Sequence, residues 1–445
     1  MPELVAFAPR SNNRTPRLAE LSLWFASSAK PLGASFSPHS ALLSCGIIRR
    51  QISKGRLRSH VNRVIQMGKI DHLFIVGAGF SHYAGLPLTN DFTQKLLDVA
   101  HLKTSGPSAL IVKFLQQFVQ DTFDHKPGAA ARFWPHLEDI FTCIDLSANT
   151  GHHLGPKYAP TDLRAMRRGL IDRIIRMLRG TYTEAKEQKT EDWTTLETFF
   201  SSVVPERCAF LCMNWDTVIE EGLGRAQNVT DFDYGCGAKF AKCTRSSTTV
   251  ATPNSKKSIQ VIKPHGSANW LYCDICRTIF WLRPDATLRI ARQLFKESDW
   301  EVVKRHIGQR YKHADGPRVC PSCRAQGLGT RFATFSYRKA LDFPMFERSW
   351  LTAERLLREA QTWIFIGYSL PAADYEFKHL MKHVQLSRHT SPDLVLITGG
   401  DAAHATQRNY QKFFGPKLRS SAASCFQHGL SKKALTHLKA IGALA

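Results

Sequence analysis

The sequence predicts an α/β fold: a Rossmann-like parallel sheet that carries a helical insertion and a small cysteine-bearing module. Three observations predict it. Five short apolar runs lack polar alternation, as strands buried on both faces do, and each ends in a polar or glycine-bearing turn. A stretch from about 105 to 200 places apolar residues three and four apart, the period of an amphipathic helix. Two Cys-x-x-Cys pairs follow, Cys273/Cys276 and Cys320/Cys323, at a spacing suited to a metal.

The first 66 residues are rich in Arg, Ser, Ala and Leu and poor in acid. That bias fits an organelle-type transit peptide, a basic disordered arm, or an upstream extension of the reading frame with initiation at Met67. The extension is the expectation adopted, so residues 1–66 are set apart from a domain spanning 67–445. The first strand, HLFIVGA, runs into Gly77, Ala78, Gly79, Phe80 and Ser81. A helix is expected to begin near Ala84 and to resume through DFTQKLLDVA. FLQQFVQDTF, HLEDIFTCIDL and LRAMRRGLIDRIIRMLRG are the insertion's helices, with GHHLGPKYAPTD as a loop. CAFLC then delivers Asn214-Trp215-Asp216, and SIQVI delivers Lys263-Pro264-His265-Gly266-Ser267. TWIFI delivers Gly367-Tyr368-Ser369, and DLVLI delivers Thr398, Gly399, Gly400 and Asp401. The tract from Ser420 onward supplies one more strand and a helix.

In an open parallel sheet, ligands bind outside the carboxyl ends of the strands. The five turns are therefore expected to line one crevice. A glycine pair after a strand lets backbone approach a diphosphate closely. His82 stands where the dinucleotide fingerprint has its third glycine, so a plain structural turn fits Gly77–Ser81 equally well. Asn214 and Asp216 serve either as capping residues or as groups aimed at ribose hydroxyls or a water. His265 follows its strand immediately, and an imidazole there is a natural general base at neutral pH; a purely structural histidine is the alternative.

The four cysteines complete a tetrahedral Zn²⁺ site if their thiolates converge. The gap between the pairs is about 43 residues, longer than the roughly 15–20 of compact zinc ribbons. A charged helical tract, ATLRIARQLFKESDWEVVKRH, fills it. Four thiolates leave no open position, so the zinc-binding module, about 270–335, is structural; redox chemistry is the alternative.

The 445 residues, 43% hydrophobic and 22% charged, suit one large domain with insertions or two domains. No apolar run approaches the roughly 18 residues of a membrane helix, so a soluble protein with no membrane partner is expected. A formal net charge of +23 favours acidic partners such as nucleic acid, although a solvated basic surface explains it as well. Eleven cysteines without a secretory signal suggest a reducing compartment, the cytoplasm.

The order of the turns carries a family resemblance. G-A-G-x-S with A-G-L-P, then N-x-D, H-G, two C-x-x-C pairs and G-x-S-L resembles the sirtuin superfamily, whose members cleave the nicotinamide–ribose bond of NAD. The likeness spans about Lys69 to Gly415. It implies that Gly77, Ala78, Gly79 and Ser81 cradle the dinucleotide phosphates. Asn214 and Asp216 would hold the nicotinamide ribose and the attacking group, with His265 as general base. Gly367 and Ser369 would contact the phosphate–adenosine side, and Thr398 and Gly399 to Asp401 the adenine ribose. Cys273, Cys276, Cys320 and Cys323 would be the family's structural zinc ligands. Two departures stand out. GLPLTNDF lacks the arginine of the deacetylases' G-I-P-D-F-R segment, and GYSLPAADYEF replaces G-T-S-L. HLEDIFTCIDL, HGSANW, GYSLPAADYEF and RNYQKFFG look instead like prokaryotic sirtuin-like domains of antiphage defence, which degrade NAD. The resemblance thus implies an NAD hydrolase that yields nicotinamide and ADP-ribose. An NAD-dependent protein deacylase and a non-catalytic NAD or ADP-ribose binder are the alternatives. The retained zinc pairs favour the deacylase. Because free NAD hydrolysis is toxic, a homo-oligomer or an activating partner protein is expected to gate it.

Overall fold

The computed structural model describes residues 69–97, 106–125, 128, 130, 133–244, 247–254, 257–291, 294–312, 319–330, 344–415 and 424–445. The stretch 1–66 and its three readings lie outside them, as do residues 292–293, 313–318 and 331–335 of the expected zinc module. In chain order the elements begin with β1 (His72–Val76), α1 (Ala78–His82), α2 (Thr89–Leu97), α3 (Pro107–Phe123), α4 (Leu137–Thr150), α5 (Pro160–Gln188) and α6 (Glu191–Ser202). Next come β2 (Cys208–Cys212), α7 (Val218–Gln227), β3 (Asp231–Asp233), β4 (Lys239–Cys243), β5 (Thr248–Val250), β6 (Ser258–Ile262), β7 (Trp270–Cys273) and β8 (Ile279–Trp281). They continue with α8 (Thr287–Ala291), α9 (Glu297–Ile307), β9 (Leu328–Gly329), α10 (Pro344–Glu359) and β10 (Thr362–Ile366). The last are α11 (Tyr375–Ser387), β11 (Asp393–Ile397), α12 (Ala403–Phe414), β12 (Cys425–Phe426) and α13 (Lys432–Ala440).

The main sheet has seven strands in the order β12-β11-β10-β1-β2-β6-β3, and every pair is parallel. The five apolar runs are its five central strands. Every residue of β1, β2 and β10 is buried, because helices cover both faces and leave no side chain a route to water. Alternate residues divide between two cores. Leu73, Ile75, Leu211 and Phe365 pack on one face with α10 and α11 residues such as Leu356 and Phe377. Phe74, Val76, Phe210 and Ile364 pack on the other with Phe80, Phe199 and Leu438. Each such side chain contributes about 1.5–3 kcal/mol by leaving water. The chain moves outward from β1 through β2 to β6, then returns to the opposite side with β10, β11 and β12. Strand order therefore reverses between β1 and β10, which opens a crevice at their carboxyl ends.

One expected element begins elsewhere. No helix starts at Ala84, which lies in a turn closed by Gly85 at φ +78°. Instead α1 starts at Ala78, directly after the strand, and α2 at Thr89. Two glycines in three residues read as a helix breaker. Here Gly79 sits inside α1 because its missing side chain lets the helix touch the β10 turn: a Cβ on Gly79 would lie 2.8 Å from Gly367 Cα.

The second lobe unites two segments that are far apart in sequence. Helices α2 to α5 pack with α8, α9 and a small five-stranded sheet, ordered β5-β4-β8-β7-β9. One core holds Phe114, Ile140 and Leu170 from the helical insertion with Phe280, Trp300, Cys273 and Cys320 from the cysteine module. Ion pairs tie α5 to α9 across this join: Arg168 with Asp299, and Arg305 with Asp162 at 2.7 Å. Among the described residues no helix is long and apolar enough to cross a membrane.

Candidate active site

The parallel register brings the turns level. Val76 is opposite Cys212 and Ile366, Ile366 is opposite Ile397, and Leu211 is opposite Ile262. The ladder runs one residue further, through Gly77 N to Ile366 O (3.2 Å), Met213 N to Val76 O (3.0 Å) and Gly367 N to Ile397 O (3.0 Å). Gly77, Met213, Gly367 and Thr398 thus leave the sheet side by side. Counting on along neighbouring β2 and β6 places Asn214 beside His265. Strands lie about 4.8 Å apart, which brings such neighbours within reach of one small group.

A chain of hydrogen bonds fixes the polar groups at this edge. Asn214 Nδ2 donates to Ser81 Oγ at 2.8 Å, and Ser81 Oγ donates to Asp216 Oδ2 at 2.6 Å. Asp216 Oδ1 accepts from Val218 N, the first residue of α7, at 3.0 Å. Because Ser81 gives its proton to a carboxylate, it must accept from the amide side of Asn214. The carboxamide oxygen of Asn214 is thereby turned the other way. His265 Nδ1 lies 3.3 Å from Met213 O. A carbonyl only accepts, so Nδ1 carries the proton and Nε2 is the basic nitrogen. The turn that presents His265 is closed by Gly266 N to Lys263 O at 3.1 Å, with Pro264 presetting its second position.

Behind these turns lies a buried ion pair. Lys263 Nζ is 3.2 Å from Glu220 Oε1, and both side chains are 0% exposed. Lys263 also donates to Ser267 Oγ at 2.9 Å and to the backbone carbonyl of Asp216. Glu220 accepts from Tyr234 OH at 3.0 Å, and Asn269 Nδ2 donates to the same hydroxyl at 3.1 Å. The carboxylate beside Lys263 holds its ammonium above the ordinary lysine range against the opposing effect of burial. One ammonium therefore ties the N-W-D turn to the H-G-S turn.

Above the turns is an open cavity of about 1070 Å³, solvent at its mouth included. Gly77, Ala78, Ser81, Asn214, Asp216, His265 and Ser369 line it. The remaining candidates do not. Gly79 and Gly367 face each other instead: Gly79 N donates to Gly367 O at 2.9 Å, and Gly367 has φ +60°. Thr398 is buried with its backbone paired to Phe426 and Gly429, while Gly399 to Asp401 are exposed two strands away from β1. That offset is roughly 10 Å along the sheet edge.

Other cavity residues were not expected as site residues, although Glu138, Tyr368 and Asp374 lie in tracts that carried the resemblance. Glu138 enters from α4 and Phe92 from α2, both of the helical lobe. Tyr368 and Asp374 wall the opposite side, joined by a 2.8 Å hydrogen bond from Tyr368 OH to Asp374 Oδ2. Burial raises the Tyr368 phenol well above its usual range, so it stays a proton donor. Between them Leu370 adopts φ +58°, a strained conformation for a branched side chain.

The four cysteines meet. Their sulfurs all lie within 4.8 Å of one another, with Cys273 Sγ to Cys323 Sγ at 3.6 Å and Cys276 Sγ to Cys320 Sγ at 3.7 Å. Tetrahedral Zn–S bonds of about 2.3 Å require sulfur separations of about 3.75 Å, so zinc fits. Both knuckles repeat one backbone form. Arg277 N donates to Cys273 O at 2.8 Å and Arg324 N to Cys320 O at 2.9 Å, each arginine at positive φ. The zinc would join β7 to the β9 segment. Cys273 and Cys320 are buried in the second lobe's core, Cys276 packs against it and Cys323 is exposed, and none of the four lines the cavity.

No family model matches the chain, and no curated protein matches it either. Among solved structures, a Sir2 bound to an acetylated peptide is 12% identical, with 87% of this chain and 99% of that one covered and a TM-score of 0.29. A structure on the basis of sirtuin substrate affinity is 13% identical over 87% and 99%, also with a TM-score of 0.29. A Sir2 with p53 peptide and NAD⁺ is 11% identical over 86% and 97%, with a TM-score of 0.28. At these identities and scores the likeness assigns neither a family nor an activity.

Proposed function

We propose that this chain is an NAD glycohydrolase, cleaving NAD to nicotinamide and ADP-ribose, and that it serves as an effector of antiviral defence. One observation carries the catalytic reading. Ser81, Asn214, Asp216 and His265, from three separate turns, converge on one cavity at the point where strand order reverses. The defence role rests on the resemblance of HLEDIFTCIDL and GYSLPAADYEF to such effectors.

Gly77 and Ala78 would lie against the diphosphate, and the β11 turn, roughly 10 Å along the edge, is within a dinucleotide's span. The outward oxygen of Asn214 accepts a hydrogen bond from the attacking water, and His265 Nε2 takes its proton. Water oxygen bonds to ribose C1′ while the C1′–N bond breaks. The electron pair goes to the ring nitrogen, so the cationic pyridinium leaves as neutral nicotinamide and one proton is released. Orientation and fixed dipoles supply the rate enhancement. The zinc has no part in this step.

The test is nicotinamide release by the full chain from NAD, with and without an acetyl-lysine peptide. Turnover without peptide is expected. Asn214→Ala and His265→Ala should each lose about 10²–10³-fold with unchanged thermal midpoints. Variants as active as wild type would sink the assignment. Strict dependence on the peptide would replace it with deacylation, and tight binding without turnover with a binding role. Because gating by a homo-oligomer or a partner is expected, the same comparison belongs inside cells, with and without phage challenge.

A further inference from the structure

Three carboxylates line the cavity, those of Glu138, Asp216 and Asp374, and no lysine or arginine does so among the described residues. The lining around His265 thus carries negative charge within a chain whose net charge is +23. Two of these carboxylates come from the sheet's own turns. Asp216 holds Ser81 and the start of α7, and Asp374 holds Tyr368. Glu138 differs in origin. It comes from the first turn of α4, in the helical lobe, and lines the same cavity as Asn214 and His265. Its Oε2 is shielded from solvent. Glu138 as a whole is half-buried, and a partly shielded carboxylate attracts a nearby cation more strongly than a fully exposed one does.

We propose that Glu138 is a specificity-determining residue that selects a cationic ring. It would favour the positively charged pyridinium of an oxidised nicotinamide nucleotide over the neutral dihydropyridine of the reduced form. The inference rests on the dinucleotide reading above and adds to it the charge state of the ligand. The same carboxylate faces the ribosyl cation that develops as the C1′–N bond breaks, so it assists departure as well as binding. A second consequence follows from its position. The helical lobe completes the site, and the sheet's turns alone hold the reacting groups without the charge that chooses their ligand.

The experiment compares the full chain with Glu138→Gln, which keeps the side chain's shape. Binding of NAD⁺ and NADH is measured by calorimetry, and NAD⁺ turnover by nicotinamide release. Wild type is expected to bind NAD⁺ at least about tenfold more tightly than NADH, the value of one charge-assisted contact. Glu138→Gln should lose that preference by weakening NAD⁺ alone, and its kcat should fall about 10–100-fold. An unchanged preference would overturn the proposal. So would equal weakening of both ligands, which marks a structural role. If wild type shows the Glu138-dependent preference yet turns over no NAD⁺, the charge role stands and the hydrolase reading fails. If wild type binds neither nucleotide, both fail.

Discussion

In the sheet lobe, Phe74 stacks on Phe210 with ring centroids 5.0 Å apart, and β1 is paired in register along its whole length to both β2 and β10. In the second lobe, Trp300 and Phe280 share their core with Cys273 and Cys320, and the sheet strands are two to five residues long. The first lobe is organised by a continuous backbone ladder with apolar faces on both sides. The second joins the helical insertion to the cysteine module through a shared core and a few ion pairs, and a metal on the four cysteines would close the module itself. Strands in both sheets run two to five residues, so the difference lies in what surrounds them: the main sheet has five central strands paired in parallel under helices, whereas the lobe that supplies Glu138 would lean on a metal held by its four cysteines.

Removing the metal should separate the two most sharply. A structural zinc contributes on the order of 10 kcal/mol to the fold it closes. Chelation, or Cys320→Ser, is expected to abolish hydrogen-exchange protection in α3, α5 and β7 while leaving β1 and β10 protected. Metal analysis should find one zinc per chain. Equal loss in both lobes would mean that they unfold as one unit.

The next effect lies within the sheet lobe. Lys263→Met leaves Glu220 buried without its cation and should cost about 3–5 kcal/mol in urea unfolding. Adding Glu220→Gln to that variant should restore part of the loss, because the orphaned charge is gone. A single variant of wild-type stability would show that the two turns hold without their ammonium tie.

Gly79→Ala tests the close approach of α1 to the β10 turn. The added Cβ would meet Gly367 Cα at 2.8 Å, against backbone that has no slack. A loss of about 2–3 kcal/mol is expected, together with reduced turnover as Ser81 shifts. Unchanged stability would mean that the turn can move aside.

The smallest effect is a pH dependence at the far end of β1. His72 is buried, neither ring nitrogen has a hydrogen-bond partner, and burial, with the nearby Arg207 charge, lowers its pKa despite Asp71. The folded chain then binds fewer protons than the unfolded chain below the unfolded histidine value of about 6.5. Stability should therefore fall as pH drops through that value and level off above it. Urea midpoints from pH 5 to 8 should show a weaker slope in His72→Gln. An equal slope would place the titration elsewhere.

Much of the sheet was legible because its strands announce themselves. HLFIV, CAFLC, SIQVI, TWIFI and DLVLI are too apolar and too short to be anything but strands buried on both faces, and each does lie at the centre of the sheet. β3, β4, β5 and β8 were not legible. They are three to five residues long, and their pattern follows the neighbours they pack on. The onset of α1 was misjudged because Gly79 signals flexibility in a string of letters and close contact in three dimensions. Glu138 was invisible as a site residue. Its tract reads as an amphipathic helix, and only packing decides which of its acids meets a cavity.

The sequence alone determined that five apolar segments are strands, that polar turns follow them, and that four cysteines are paired at a spacing suited to a metal. These are local properties, set by periodicity and by the spacing of ligand atoms along a few residues. Tertiary structure alone decided that β10 returns beside β1, that the helical insertion and the cysteine module share one core, and that Ser81 bridges Asn214 to Asp216 rather than standing apart from them. Those outcomes depend on which surfaces exclude water together, a property of the folded chain as a whole that no single segment encodes.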